Sequence, residues 1–303
     1  MRILMVGAGA TGGYFGGRLV QAGRDATFLV RGKRAQQLHR DGLKLRTPAG
    51  DATIAVHTTT AADLTPYDLV LVSTKAYSLV SAMADFAPAV GDNTLVLPLL
   101  NGMGHMDLLR ERFGAAHILG GCCRIIGELH DDGTVEQKTP LADLTFGALD
   151  AATEPHMAAL QAELNVPGFD VVLTPDAMAA MWQKWFVLAS INAACILARG
   201  TLGQAAQQTY GADQNRAILA EAAAIAHANG YAPHPKALDA QTKVFTDPAS
   251  PITSSMYRDM LRGAQVEADQ ILGDYLERAH GTPAPLLTAA YVQLKVYQAS
   301  RPK

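Results

Sequence analysis

Arg2-Ile3-Leu4-Met5-Val6-Gly7-Ala8-Gly9-Ala10-Thr11-Gly12 opens the chain, and its reading decides the fold. A short apolar run breaks at once into a glycine-rich turn, the pattern of a buried strand that turns sharply into a helix. Gly7 permits the tight turn, and Gly9 lets the backbone approach a pyrophosphate with no Cβ in the way. Gly12 lets the helix lie close against the strand. The helix start, with Ala10 and Thr11 in its first turn, then aims free N–H groups and the positive end of its dipole at the phosphates. Gly13, Gly16 and Gly17 extend the small face that tight helix-on-sheet packing requires. Glycine-rich turns are common in general. This one lies between strand-like and helical text, which favours a dinucleotide-binding loop.

The totals agree. A chain of 303 residues is long enough for two cores, since single cores stop growing at about 250–300 residues. Hydrophobic residues make up 49% and charged residues 17%, which describes a globular enzyme and excludes a disordered chain. The net charge of −3 argues against a nucleic-acid surface. No apolar run reaches the roughly 18 residues of a membrane helix, and the first apolar run is too short for a signal peptide. Cys122, Cys123 and Cys195 form an odd, sparse set without CxxC. That set predicts reduced thiols, a cytoplasmic location and no metal site.

Outward from the loop, Gly23 reads as the residue that closes the first helix. Asp25–Val30 reads as the second strand, followed by Arg31, Gly32, Lys33 and Arg34. NAD-binding versions of this fold place an acid near this point to hold the ribose 2′-hydroxyl. Cations there suit a 2′-phosphate instead. Arg31 is thus a candidate phosphate ligand, the other reading being a solvated basic turn. Gly42–Leu45 and Thr53–Val56 predict a hairpin, and Asp68–Ser73 and Thr94–Leu97 predict buried parallel strands. Those two strands lead to Lys75 and to Asn101-Gly102-Met103-Gly104, at the carboxyl ends where open α/β sheets bind ligands. Gly120–Gly147 reads as several short strands broken at Asp131-Asp132-Gly133. A helix over 155–164 and a strand over 170–173 complete an N-terminal Rossmann-type domain, residues 1–174.

From Thr174-Pro175 onward the text is alanine-rich and helical, which predicts an all-α C-terminal domain over residues 175–303. Pro175 fits the first position of a helix running to about Ala198. Further helices are expected over 213–229, 235–246, 255–279 and 285–299. The first helix carries Met181-Trp182-Gln183-Lys184-Trp185-Phe186. A lysine among large apolar side chains either serves as a desolvated acid or snorkels past them to water. Asn192 follows about two turns later. Ser254-Ser255 precedes Glu267, and either serine could cap a helix.

The ordered set Gly7-x-Gly9-x-x-Gly12, Arg31, Lys75, Asn101-Gly-Met-Gly, Trp182-Gln-Lys184, Asn192, Ser254-Ser-Met and Glu267 resembles the ketopantoate reductase (2-dehydropantoate 2-reductase) family over nearly the whole chain. The resemblance implies NADPH-dependent reduction of a 2-oxo acid to a 2-hydroxy acid. For the type members that acid is 2-dehydropantoate, in pantothenate biosynthesis. It also implies roles. Lys184 would protonate the developing alkoxide, and Glu267 would support that lysine and bind the substrate hydroxyl. Ser255 and Asn192 would hold the substrate. Asn101 and Lys75 would lie where cofactor and substrate meet, and Arg31 would take the 2′-phosphate.

Two positions depart from the family pattern. Leu188 stands where an asparagine is common one turn after the lysine, and Ile252 stands for an asparagine before Ser254-Ser255. Both remove polar contacts, which opens a second reading: a related reductase with a more apolar 2-oxo acid. A third, of a different class, is a non-catalytic NADPH-binding sensor. The expected partners are a small-molecule substrate, with neither nucleic acid nor membrane. Alanine-rich helices fit a homodimer face as well as ordinary core.

Overall fold

The computed structural model describes residues 1–301. They form two compact units, one of residues 1–100 and 105–180, the other of residues 101–104 with the chain from Met181 onward. The division into units falls inside a helix, between Ala180 and Met181.

In the first unit, β1 (Arg2–Val6), α1 (Ala10–Gln21), β2 (Asp25–Leu29) and α2 (Gly32–Asp41) follow one another. Next come β3 (Leu43–Arg46), β4 (Ala52–Ile54), β5 (His57–Thr59), β6 (Leu69–Val72), α3 (Leu79–Phe86) and β7 (Leu95–Pro98). A five-stranded sheet has the order β5-β2-β1-β6-β7, every pair parallel. Strand order reverses at β1, so its carboxyl end is the switch point where such sheets bind ligands. All residues of β6 and β7 are buried, as their unbroken apolar text requires of strands covered on both faces.

After α4 (Gly104–Phe113), the text read as several short strands is one long hairpin, β8 (Gly120–Leu129) and β9 (Val135–Gly147). Asp132 stabilises its turn by accepting the Thr134 N–H at 2.9 Å, and a register shift between Ile125 and Gly127 absorbs the unequal lengths. The unit closes with α5 (Met157–Leu164) and β10 (Asp170–Leu173). The second sheet runs β10-β9-β3-β4, with β8 on β9. The predicted hairpin is the antiparallel pair of β3 and β4. The basic run after β2 is no turn; it starts α2, whose one buried residue, Leu38, leaves no apolar period to read.

The second unit is helical: α6 (Ala177–Ala198, begun in the first unit), α7 (Leu202–Ala206), α8 (Gly211–Ala228), α9 (Pro235–Thr246), α10 (Ser255–Leu261), α11 (Asp274–Glu277) and α12 (Pro285–Ser300). Two expectations need correction. Pro175 does not start α6; Asp176 does, its carboxylate accepting the Ala179 N–H at 2.9 Å. The single helix expected over 255–279 is broken, because Gly263 takes φ +68° and ends α10. The chain becomes helical again at Ala268, with a wide π turn over Asp269–Gly273. By length and composition α6 could cross a membrane, with a mean hydropathy of 1.2, but 61% of that window is buried inside the protein. It is a core helix. Trp185 packs edge-to-face on Tyr275 at 4.8 Å and donates its indole N–H to the Ile271 carbonyl at 3.0 Å.

Candidate active site

The glycine loop leads into a helix start that no side chain caps. Gly7 takes φ +94°, and its N–H donates to the Leu29 carbonyl at 3.0 Å, tying the turn to the end of β2. At Gly12 a Cβ would collide with Ser73, whose hydroxyl donates to the Val6 carbonyl at 2.9 Å. Gly9 has open space where a Cβ would stand. No side chain caps α1, and its first turn, with Ala10 and Thr11, holds no acid. The helix N–H groups and their dipole therefore remain for a ligand. The Thr74 hydroxyl, just past β6, is buried without a hydrogen-bond partner. An uncapped helix start, a cleared glycine and an orphaned hydroxyl fit a dinucleotide pyrophosphate.

The basic positions take distinct states. Arg31 precedes α2 and donates through Nε and Nη2 to Asp85 of α3, and through Nη2 to the Ser81 carbonyl at 3.1 Å. Arg34 donates to the Ala8 carbonyl at 2.9 Å and the Gly133 carbonyl at 2.8 Å, clamping the glycine loop to the β8–β9 turn. Burial lowers its pKa from the usual arginine value, and its Nη2 is buried without a partner. Lys75 is exposed beyond β6. Among the described residues one trio, Glu128, His130 and Glu136, brings its ligand atoms within 4.8 Å of one another, but Glu128 is already held by Lys138 at 2.5 Å.

In the second unit the central contact is Lys184 Nζ donating to Asn101 Oδ1 at 2.8 Å. Asn101 is presented by a turn that glycine alone can make: Gly102 has φ +83°, and a Cβ there would strike the Gln270 carbonyl of the π turn. Glu267, buried just before that turn, accepts the Ile271 N–H through its backbone carbonyl at 3.1 Å. Lys184, Leu188 and Asn192 follow at four-residue steps along one strip of α6. Asn192 is fully buried; its amide donates to the Leu188 carbonyl at 2.8 Å and its Oδ1 has no partner. The Cys195 thiol, one turn on, lies 4.0 Å from the Ile252 carbonyl, and burial raises its pKa to about 11. Ser254 caps α10 by accepting the Tyr257 N–H at 2.9 Å, which leaves Ser255 as the serine not used for capping.

The structure thus joins Asn101 to Lys184 directly and brings the Ser254-Ser255 corner against α6. Gly7, Gly9, Gly12, Arg31 and Lys75 stand with the first unit. Sequence reasoning missed Ser73 and Asp85, and read Arg34 only as one cation of the basic run, not as the clamp on the glycine loop. Ser73, the last residue of the apolar run before Lys75, was legible in position; Asp85 was not, since only the fold brings α3 to Arg31.

A parallel sheet with a glycine-rich switch point, followed by a helical unit bearing an amide-held lysine, defines the class of dinucleotide-dependent oxidoreductases built on a Rossmann domain. The model of the ketopantoate reductase PanE/ApbA family matches residues 3–151, and the model of its C-terminal domain matches residues 176–298. The chain belongs to the ketopantoate reductase family, oxidoreductases acting on CH–OH groups. It is 29% identical to the uncharacterized oxidoreductase YkpB of Bacillus subtilis, over 99% of this chain and 100% of that one. It resembles the crystal structure of 2-dehydropantoate 2-reductase from Geobacter metallireducens with a TM-score of 0.90 and 27% identity, over 99% and 100% of the two chains. It shares its fold with D-mandelate dehydrogenase, solved with NADH and anilino(oxo)acetate, at a TM-score of 0.89 and 21% identity over 99% of each chain.

Proposed function

We propose that the chain reduces a 2-oxo acid to the 2-hydroxy acid with NADPH, 2-dehydropantoate being the favoured substrate. The observation that carries this reading is the Lys184 ammonium held on Asn101 Oδ1 at 2.8 Å. Reducing a ketone places negative charge on its oxygen, and a positioned cation with a transferable proton answers that need. NADPH, when bound, supplies the hydride; the protein supplies position and charge. The glycine loop and the start of α1 would hold the pyrophosphate, Arg31 the 2′-phosphate, and Lys75 would add positive charge beside them. Lys184 would give its proton to the carbonyl oxygen, while Asn101 keeps the amine aimed. Glu267, Ser255 and Asn192 would hold the substrate's polar groups, and the partnerless Asn192 Oδ1 supports that role.

Leu188 and Ile252 favour a second reading, a 2-oxo acid with a larger apolar branch. D-mandelate dehydrogenase, which shares the fold, is named for a 2-hydroxy acid with an aryl branch and was solved with anilino(oxo)acetate. NADPH oxidation measured over a panel of 2-oxo acids, 2-dehydropantoate and phenylglyoxylate included, separates the two. Turnover of none of them by protein that binds NADPH would leave the sensor reading in possession.

A further inference from the structure

NADPH-specific sites of this fold carry a cation and no acid at the end of β2, and the local sequence Val30-Arg31-Gly32-Lys33-Arg34 obeys that rule. The fold breaks it. Asp85, on the last turn of α3, reaches across to the same point and takes the Arg31 guanidinium through both Nε and Nη2. The Ser81 carbonyl, one turn earlier on α3, accepts a further N–H from Nη2 at 3.1 Å. The Arg31 side chain remains 60% exposed and that of Asp85 27%, so the pair is open to a ligand. A 2′-phosphate that reaches Arg31 must share the guanidinium with a carboxylate or displace it, and the two anions repel. Arg34 offers no ready substitute, since Nε and Nη1 are committed to the Ala8 and Gly133 carbonyls and Nη2 is buried. A ribose bearing only a 2′-hydroxyl meets no such competition.

We propose that Asp85 is a cofactor-specificity residue that narrows the preference for NADPH over NADH by competing with the 2′-phosphate for Arg31. This rests on the dinucleotide reading given above. The test is calorimetric titration of NADP+ and NAD+ into the wild type, Asp85→Asn and Asp85→Ala, each also in an Arg31→Ala background. An exposed ion pair is weak, so the expected gain is modest: both Asp85 variants should bind NADP+ about threefold to tenfold more tightly. NAD+ affinity should stay within about twofold, as should the response to either Asp85 substitution once Arg31 is gone. Unchanged or weakened NADP+ binding in both variants overturns the proposal, as does a gain that persists without Arg31. If the wild type binds neither nucleotide, the dinucleotide reading itself fails. If it binds both and the ratio ignores Asp85, only the present inference falls.

Discussion

At the residue scale, Lys184 and Leu188 are the positions on which activity and selectivity should turn. Lys184→Met keeps most of the apolar stem while removing the ammonium held by Asn101. It should lower kcat by about a hundredfold or more, the usual size of a general-acid contribution. NADPH affinity, measured by titration, should stay unchanged; a near-normal rate would make Lys184 a packing residue. Leu188 stands one turn beyond the lysine on α6, and on the proposed reading its isobutyl group meets the substrate where an amide would bond a hydroxyl. Leaving that hydroxyl unpaired costs about 1–3 kcal/mol. Deoxy acids with an apolar branch should therefore come within about tenfold of 2-dehydropantoate in kcat/KM, and Leu188→Asn should move the ratio toward 2-dehydropantoate by about tenfold. A wild type that already rejects the deoxy analogue by about a thousandfold would mean that Leu188 does not meet the substrate.

At the element scale, what was legible was what is set locally. The β1–loop–α1 unit could be read because its glycines answer steric demands within a dozen residues. The lysine of α6 could be singled out from its neighbours, but its partner could not, because Asn101 lies 83 positions away in the chain. The same holds for Arg31 and Asp85, 54 positions apart. The text from Ser255 to Ala279 keeps helical character through a break that one left-handed glycine makes, so composition alone does not mark where the helix stops. Beyond that break, Asp269 of the π turn accepts from Tyr291 at 2.7 Å and from Lys295 at 2.9 Å, both on α12. Burial works against the ionised carboxyl, yet the bonds from Lys295 and Tyr291 hold its pKa below the usual carboxylate value. A depressed folded pKa contributes stability that is complete above the unfolded value near 3.9 and is lost as pH falls through the folded one. The side chain is half exposed, so the contribution should be about 1 kcal/mol or less. Asp269→Asn should thus be slightly less stable than the wild type at neutral pH, with the gap closing below about pH 4. Urea titrations at both pH values measure it, and a gap that widened in acid would contradict the assignment.

For the whole molecule, ligand binding should show as stability. A nucleotide held by the folded chain alone, at a hundred times its Kd, adds about 2.7 kcal/mol. That is worth roughly 5 °C in the melting temperature of a chain this long. NADP+ should raise the Tm by about that much, and a flat response would count against the glycine loop as a dinucleotide site. The cysteines give the two units separate reporters. Cys122 and Cys123 lie in the first and Cys195 in the second; all three are buried and none is disulfide-bonded. A thiol that is both covered and, at Cys195, titrating only near 11 reacts with an aromatic disulfide reagent at the rate its surroundings open. Labelling kinetics followed peptide by peptide would therefore time the opening of each unit in the unmodified protein. NADP+ should slow the clock at Cys122 and Cys123.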